Sequence, residues 1–137
     1  MSSVPEAKGA GYTHRRRLTE PMPAVVEKVR AALAAEGFGV LTEIDVQATL
    51  KKKLGVDRKP YLILGACQPE LAHRALLAEP SLGVFLPCNV DVYQGDDGAT
   101  YVETVRPEVL FRQAQSPAVA PLGEEVNRRL LAVLGAL

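Results

Sequence analysis

Apolar positions in this chain change rhythm repeatedly, from every third or fourth residue to every second, and each change marks an element. Val25, Val26, Val29, Ala32 and Leu33 recur at helical spacing, which predicts an amphipathic helix. Thr19-Glu20-Pro21-Met22-Pro23 supplies its start, because prolines suit a first turn whose amides lack partners. Gly37 supplies its stop. Phe38 to Ile44 reads as a strand, with Phe38, Val40, Thr42 and Ile44 on one side and Gly39, Leu41 and Glu43 on the other. Asp45 caps a second helix, Val46 to Leu54, whose stripe is Val46, Leu50 and Leu54.

Tyr61 to Cys67 is a nearly continuous apolar run, the pattern of a strand buried on both faces. A third helix follows from Pro69 to about Ala78, and Leu82 to Leu86 is expected to be a short strand stopped by Pro87. Val90 to Tyr93 and Ala99 to Val105 flank Gln94-Gly95-Asp96-Asp97-Gly98, a hairpin signature. Pro107 to Gln113 predicts a short helix, and Val119, Leu122, Val126, Leu130, Val133 and Leu134 predict a final one. Tyr12 to Leu18, rich in arginine, suits a sheet edge. Residues 1–11 read as a disordered tail, and residues 12–137 as a single domain. Taken alone, the alternation of strand and helix suggests a parallel sheet.

Charge changes this picture by what it removes. Sixteen basic and sixteen acidic residues cancel, which argues against a nucleic-acid partner held by a general electrostatic footprint. No apolar run reaches the length of a membrane span. The first residues lack the apolar centre of a secretory signal, so the expected location is cytoplasmic.

The candidate chemistry centres on the two cysteines. Cys67 lies where a strand hands over to a helix, and a helix N-terminus favours thiolate. The same Gly65-Ala66-Cys67 also suits plain close packing. Cys88 follows Pro87, which has no amide to donate, so a turn or bulge there would aim Cys88 and Asn89 at one place. If the two turns share a sheet edge, the thiols would face each other as a redox pair or as two ligands of zinc or another thiophilic metal. Neither cysteine has C-x-x-C spacing, and zinc would need further ligands. Glu43 lies within an apolar strand, and Lys53 borders the stripe of the second helix, within reach of Glu43 or of a ligand. His73 falls opposite the stripe of the third helix, and His14 sits on the arginine-rich strand; neither makes a base for a cysteine nucleophile. A phosphate loop, a Ser-His-Asp set and an aromatic nucleic-acid platform are all missing from the pattern.

Gly37-Phe38-Gly39-Val40-Leu41-Thr42-Glu43-Ile44-Asp45-Val46, Thr49-Leu50-Lys51-Lys52-Lys53-Leu54-Gly55, Leu64-Gly65-Ala66-Cys67 and Leu86-Pro87-Cys88-Asn89-Val90, in that order, resemble the bacterial and archaeal family called domain of unknown function 302. The resemblance implies an α+β fold of the TATA-binding-protein-like class (beta-alpha-beta(4)-alpha type). That is a curved, mostly antiparallel sheet packed with helices, in place of the parallel one. It also implies a homodimer. It supplies no catalytic residues, and fold similarity to a DNA-bending protein is not function. Its motifs fall on Glu43, Asp45, Lys53, Cys67, Cys88 and Asn89, the candidate ligand-binding set.

Three functions follow as expectations. The first is a homodimeric protein that binds a small ligand or metal in a cleft near Cys67 and Cys88. The second is thiol redox chemistry between them. The third is an interaction module whose cysteines are purely structural.

Overall fold

The computed structural model describes residues 7–137. Six strands form one sheet: β1 (Ala7–Lys8), β2 (Thr13–Leu18), β3 (Gly39–Asp45), β4 (Tyr61–Cys67), β5 (Cys88–Gln94) and β6 (Thr100–Val105). Between and after them come α1 (Met22–Ala35), α2 (Val46–Leu54), α3 (Pro69–Ala78), α4 (Pro107–Phe111) and α5 (Ala120–Gly135). The strand order is β1-β2-β6-β5-β4-β3, and every neighbouring pair is antiparallel. Ala7 and Lys8, at the end of the expected tail, pair with Arg15 and His14; residues 1–6 lie outside the described residues.

The antiparallel α+β architecture replaces the parallel sheet suggested by alternation. The helix between β4 and β5 joins neighbours that run in opposite directions, so it is not a parallel crossover. The TATA-binding-protein-like class, with its curved sheet, is not what forms. Five strands of six or seven residues, with the two-residue β1 added, make an open sheet that neither closes nor curls strongly. Leu82 to Leu86 is also not a strand, because Pro80–Phe85 winds into a 3-10 helix. Its apolar side chains do not alternate: Leu82 is buried while Val84 is exposed.

One face of the sheet carries the core. Val90, Val92 and Cys88 of β5, Val102 of β6, and Leu64 and Ala66 of β4 are buried there with Val25, Val29 and Leu33 of α1. Leu122, Val126, Leu130, Val133 and Leu134 of α5 join them, as does Leu71 of α3. The helix starts follow local chemistry. The Asp45 carboxylate accepts from the Ala48 amide at 2.9 Å, and the Gln68 side chain accepts from the Leu71 amide at 2.8 Å. Gly55 ends α2 at φ 69°, a left-handed conformation that suits glycine.

Edge strand β3 departs from the expected alternation. Val40 pairs with Ala66 and Thr42 with Gly65, so Leu41 is an extra residue in a bulge. Val40 packs toward the core, whereas Leu41 projects into solvent.

Candidate functional site

The C-terminal end of β4, the N-terminal end of β5 and the helix α3 enclose a cleft. Phe38, Ala66, Cys67, Gln68, Leu71, Ala72, Ala75, Leu86, Cys88, Phe111 and Val126 line it. Its wall is formed by elements the chain places far apart, so two sequence-distant cysteines meet one void. Antiparallel register accounts for this. Ala66 lies opposite Cys88, and Cys67 follows directly at the strand end, where it pairs with Gly39 of β3. The accessible volume is about 20 Å³, close to the minimum of roughly 10–15 Å³ for one water. Its lining is almost wholly apolar, and Gln68 together with the thiols supplies its polar groups.

Both thiols are free. Cys88 is buried, and burial pushes its pKa up to about 12, with Cys67 adding to the rise. Burial also raises Cys67, which is only partly covered. The depression of Cys67 expected from the α3 terminus is not what is found: burial raises the thiol. The Leu71 amide at that terminus is occupied by Gln68.

The remaining candidates do not gather at the cleft. Glu43 is exposed on β3 and binds Arg30 of α1 at 2.8 Å. Asp45 caps α2 at the other end of β3, opposite Leu62. Lys53 is exposed on α2. Asn89 pairs with Gly65 across β4 and β5, and its carbonyl accepts from the Thr104 hydroxyl at 2.9 Å. It borders a separate depression with Val84, Phe85, Leu86, Pro87, Val105 and Leu110. A structural zinc ion takes four donors, and the cleft offers two thiols. Among the described residues no group of three or more His, Cys, Asp or Glu is placed to hold a metal.

The family model described as "Domain of unknown function DUF302" matches residues 14–137. The chain belongs to the DUF302 family. A crystal structure of an uncharacterized conserved protein DUF302 from Bacillus stearothermophilus is 32% identical, with a TM-score of 0.86. The match covers 93% of this chain and 98% of that one. No curated protein matches.

This DUF302 protein has a second ordered polar region that sequence reasoning missed. On the sheet face opposite the core, Tyr61, Tyr93 and Tyr101 lie in register across β4, β5 and β6. Their rings stack, with centroids 4.9 and 5.5 Å apart. Arg58 covers the Tyr61 ring at one end, and Arg15 lies over Tyr101 at the other. In the neighbouring row Asp91 faces Glu103 directly. Tyr61 donates to Asp91 at 2.6 Å, and Tyr93 donates to Glu103 at 2.7 Å. Burial, followed by the charge of Glu103, raises Asp91 against the lowering effect of the Tyr61 hydrogen bond. Burial and the acceptor carboxylates raise both tyrosines, Tyr93 to about 12.

Base stacking needs open aromatic faces, and here they are filled by neighbouring rings and guanidinium groups. The signal available in the sequence was the alternation of Asp91, Tyr93, Tyr101 and Glu103 with the apolar Val90, Val92 and Val102 across the hairpin.

Proposed function

We propose that this protein is a homodimeric binding protein whose cleft between α3 and the ends of β4 and β5 takes a small apolar group. The observation that carries this is the lining: two cysteines distant in sequence share one void with side chains that are otherwise nearly all apolar. Small-molecule sites are mostly apolar with a few placed polar groups, and Cys67 and Gln68 fit that role. The void itself accepts a group of about one methyl or one water. A larger ligand would lie across the opening. Neutral thiols suit such a pocket, since burial keeps both protonated.

Xenon, which enters dry apolar cavities, tests the site without a known ligand. Amide shifts under xenon pressure confined to Ala66, Leu71, Ala75 and Cys88, and abolished by Ala72→Leu, support the reading. Shifts spread over the surface, or none near the cleft, would end it.

A second reading rests on a different observation. Each sulfur lies near enough for Cys67 to raise the Cys88 pKa, and register places Cys88 beside the residue preceding Cys67. A redox pair would then form a disulfide, with two electrons and two protons passing to an oxidant such as diamide. A two-dalton mass loss on treatment with diamide, restored by a reductant, is expected on this reading. An unchanged mass with two alkylatable thiols would exclude it.

A further inference from the structure

The mouth of the cleft carries hydrogen-bond donors that the fold leaves unused. The Gln68 side chain caps α3 by accepting from the Leu71 amide at 2.8 Å. That bond fixes which end of the side-chain amide is oxygen, and the Nε2 donors face away from the helix. Nε2 makes no hydrogen bond among the described residues. Arg129 of α5 stands beside it. Its Nη1 donates to the Glu36 carbonyl at 3.2 Å and its Nη2 to Glu125 at 3.1 Å. Nε is buried without a partner among the described residues, so a guanidinium with five N–H donors is only partly used.

Gly37 brings the two groups to one place. A methyl group built on it would stand 3.3 Å from Gln68 Nε2 and 3.9 Å from Arg129 Nη1. Only a Gln68 carbon comes as near, so the approach to both nitrogens stays clear because Gly37 has no side chain. This place adjoins the void. Phe38, which follows Gly37, lines the cleft, as do Gln68 itself and Val126, one helical turn before Arg129.

Charge is left over at the same place. Glu125 lies between Arg74 at 3.4 Å and Arg129 at 3.1 Å, one carboxylate against two guanidinium groups. Glu36 and Glu70, the acids nearest to Gly37 and Gln68 in sequence, form no ion pair with either arginine among the described residues. Resting on the apolar cleft proposed above, we infer that its ligand is a short-chain carboxylate. The carboxylate accepts from Gln68 Nε2 and Arg129 Nη1, and the alkyl end enters the void. A guanidinium matches the planar two-oxygen geometry of a carboxylate, and a void of about one methyl sets the length of the apolar end.

Titration of the full chain with propionate, followed by nitrogen-edited NMR, tests this. The side-chain amide of Gln68 and the Nε–H of Arg129 are the resonances expected to move. Propionate should bind about fourfold tighter than acetate, the worth of one buried methylene. Gln68→Glu still accepts from Leu71 and keeps the cap, but it replaces the free donors with a second oxygen. Propionate binding should weaken at least about tenfold in this variant, while the cleft shifts under xenon persist. Arg129→Lys keeps the charge without the planar fork and should weaken binding by about threefold or more. Xenon in the cleft without propionate overturns this inference alone; neither probe in the cleft overturns the apolar-cleft reading with it. Unchanged propionate binding in both variants overturns the assignment of the donors. Acetate binding as tightly as propionate overturns the placing of the alkyl end. Inorganic phosphate binding as tightly as propionate overturns the carboxylate class.

Discussion

Helices α5 and α2 carry the same kind of apolar stripe, yet they meet opposite fates. Leu122, Val126, Leu130, Val133 and Leu134 of α5 vanish into the core, while no residue of α2 is fully buried: Val46 and Leu50 are half-buried and Leu54 stays in solvent. A stripe specifies that a helix has a face to cover; it does not specify that the cover belongs to the same chain. The largest expected contrast follows. Leu130→Ala should cost about 2–5 kcal/mol, the range for a leucine removed from a packed core. Leu54→Ala should change the stability of the monomer by no more than about 0.5 kcal/mol. Urea denaturation at low protein concentration measures both, and a large loss at Leu54 under those conditions would place α2 against its own chain.

The same contrast runs through the sheet, where β4 is packed on both sides and β3 on one. Gly65 faces Thr42 of β3, and a methyl group added to it would also stand 2.9 Å from the Pro87 ring. Gly65→Ala should therefore destabilise by about 1–3 kcal/mol, as overpacking does. Gly39, at the edge, has nothing near an added methyl. Gly39→Ala should leave the denaturation midpoint almost unchanged.

The cleft sharpens the comparison at alkaline pH. Cys88 has a folded pKa of about 12 against an ordinary 9.0. Above pH 9 the unfolded chain loses this proton first, so the folded state binds more protons and stability falls as pH rises from 9 toward 12. The slope from one such group approaches about 1.4 kcal/mol per pH unit. Cys88→Ala should flatten that part of the profile. Tyr61 and Tyr93, also raised, leave a residual slope. An unaltered profile would mean that Cys88 titrates normally and is not sealed.

Local grammar explains what could be read without a structure. The prolines before α1, Asp45 before α2 and Gly55 after it are signals within a few residues, and each element formed where those signals stand. The two cysteines could be placed at element boundaries for the same reason. Their sharing of one void depends on the β4–β5 register, a pairing across an intervening helix that no local pattern encodes. The Leu41 bulge, which turns Val40 inward and breaks the expected face of β3, is equally silent in the alternation. So is the tyrosine row, because Tyr61 is brought beside Tyr93 only by that same long-range pairing.

The row of Asp91 and Glu103 offers the finest test of how the tyrosine face differs from the core face. On the core side the facing residues of β5 and β6 include Val92 and Val102, both fully buried. One residue away, two carboxylates face each other under tyrosine hydroxyls. Asp91 is raised, first by burial and then by Glu103. For a carboxylate raised in the folded state, the unfolded chain ionises first as pH climbs past the ordinary value. Stability is then lost up to the folded pKa and is not regained. Asp91→Asn removes that loss while its side-chain oxygen still accepts from Tyr61. The variant should melt above wild type at pH 7. Near pH 3, where the wild-type carboxyl is protonated in both states, the two should melt together. A variant less stable at pH 7 would mean that the charged form of Asp91 is held by a partner, with Arg15, across β6 on the same face, the group to replace next.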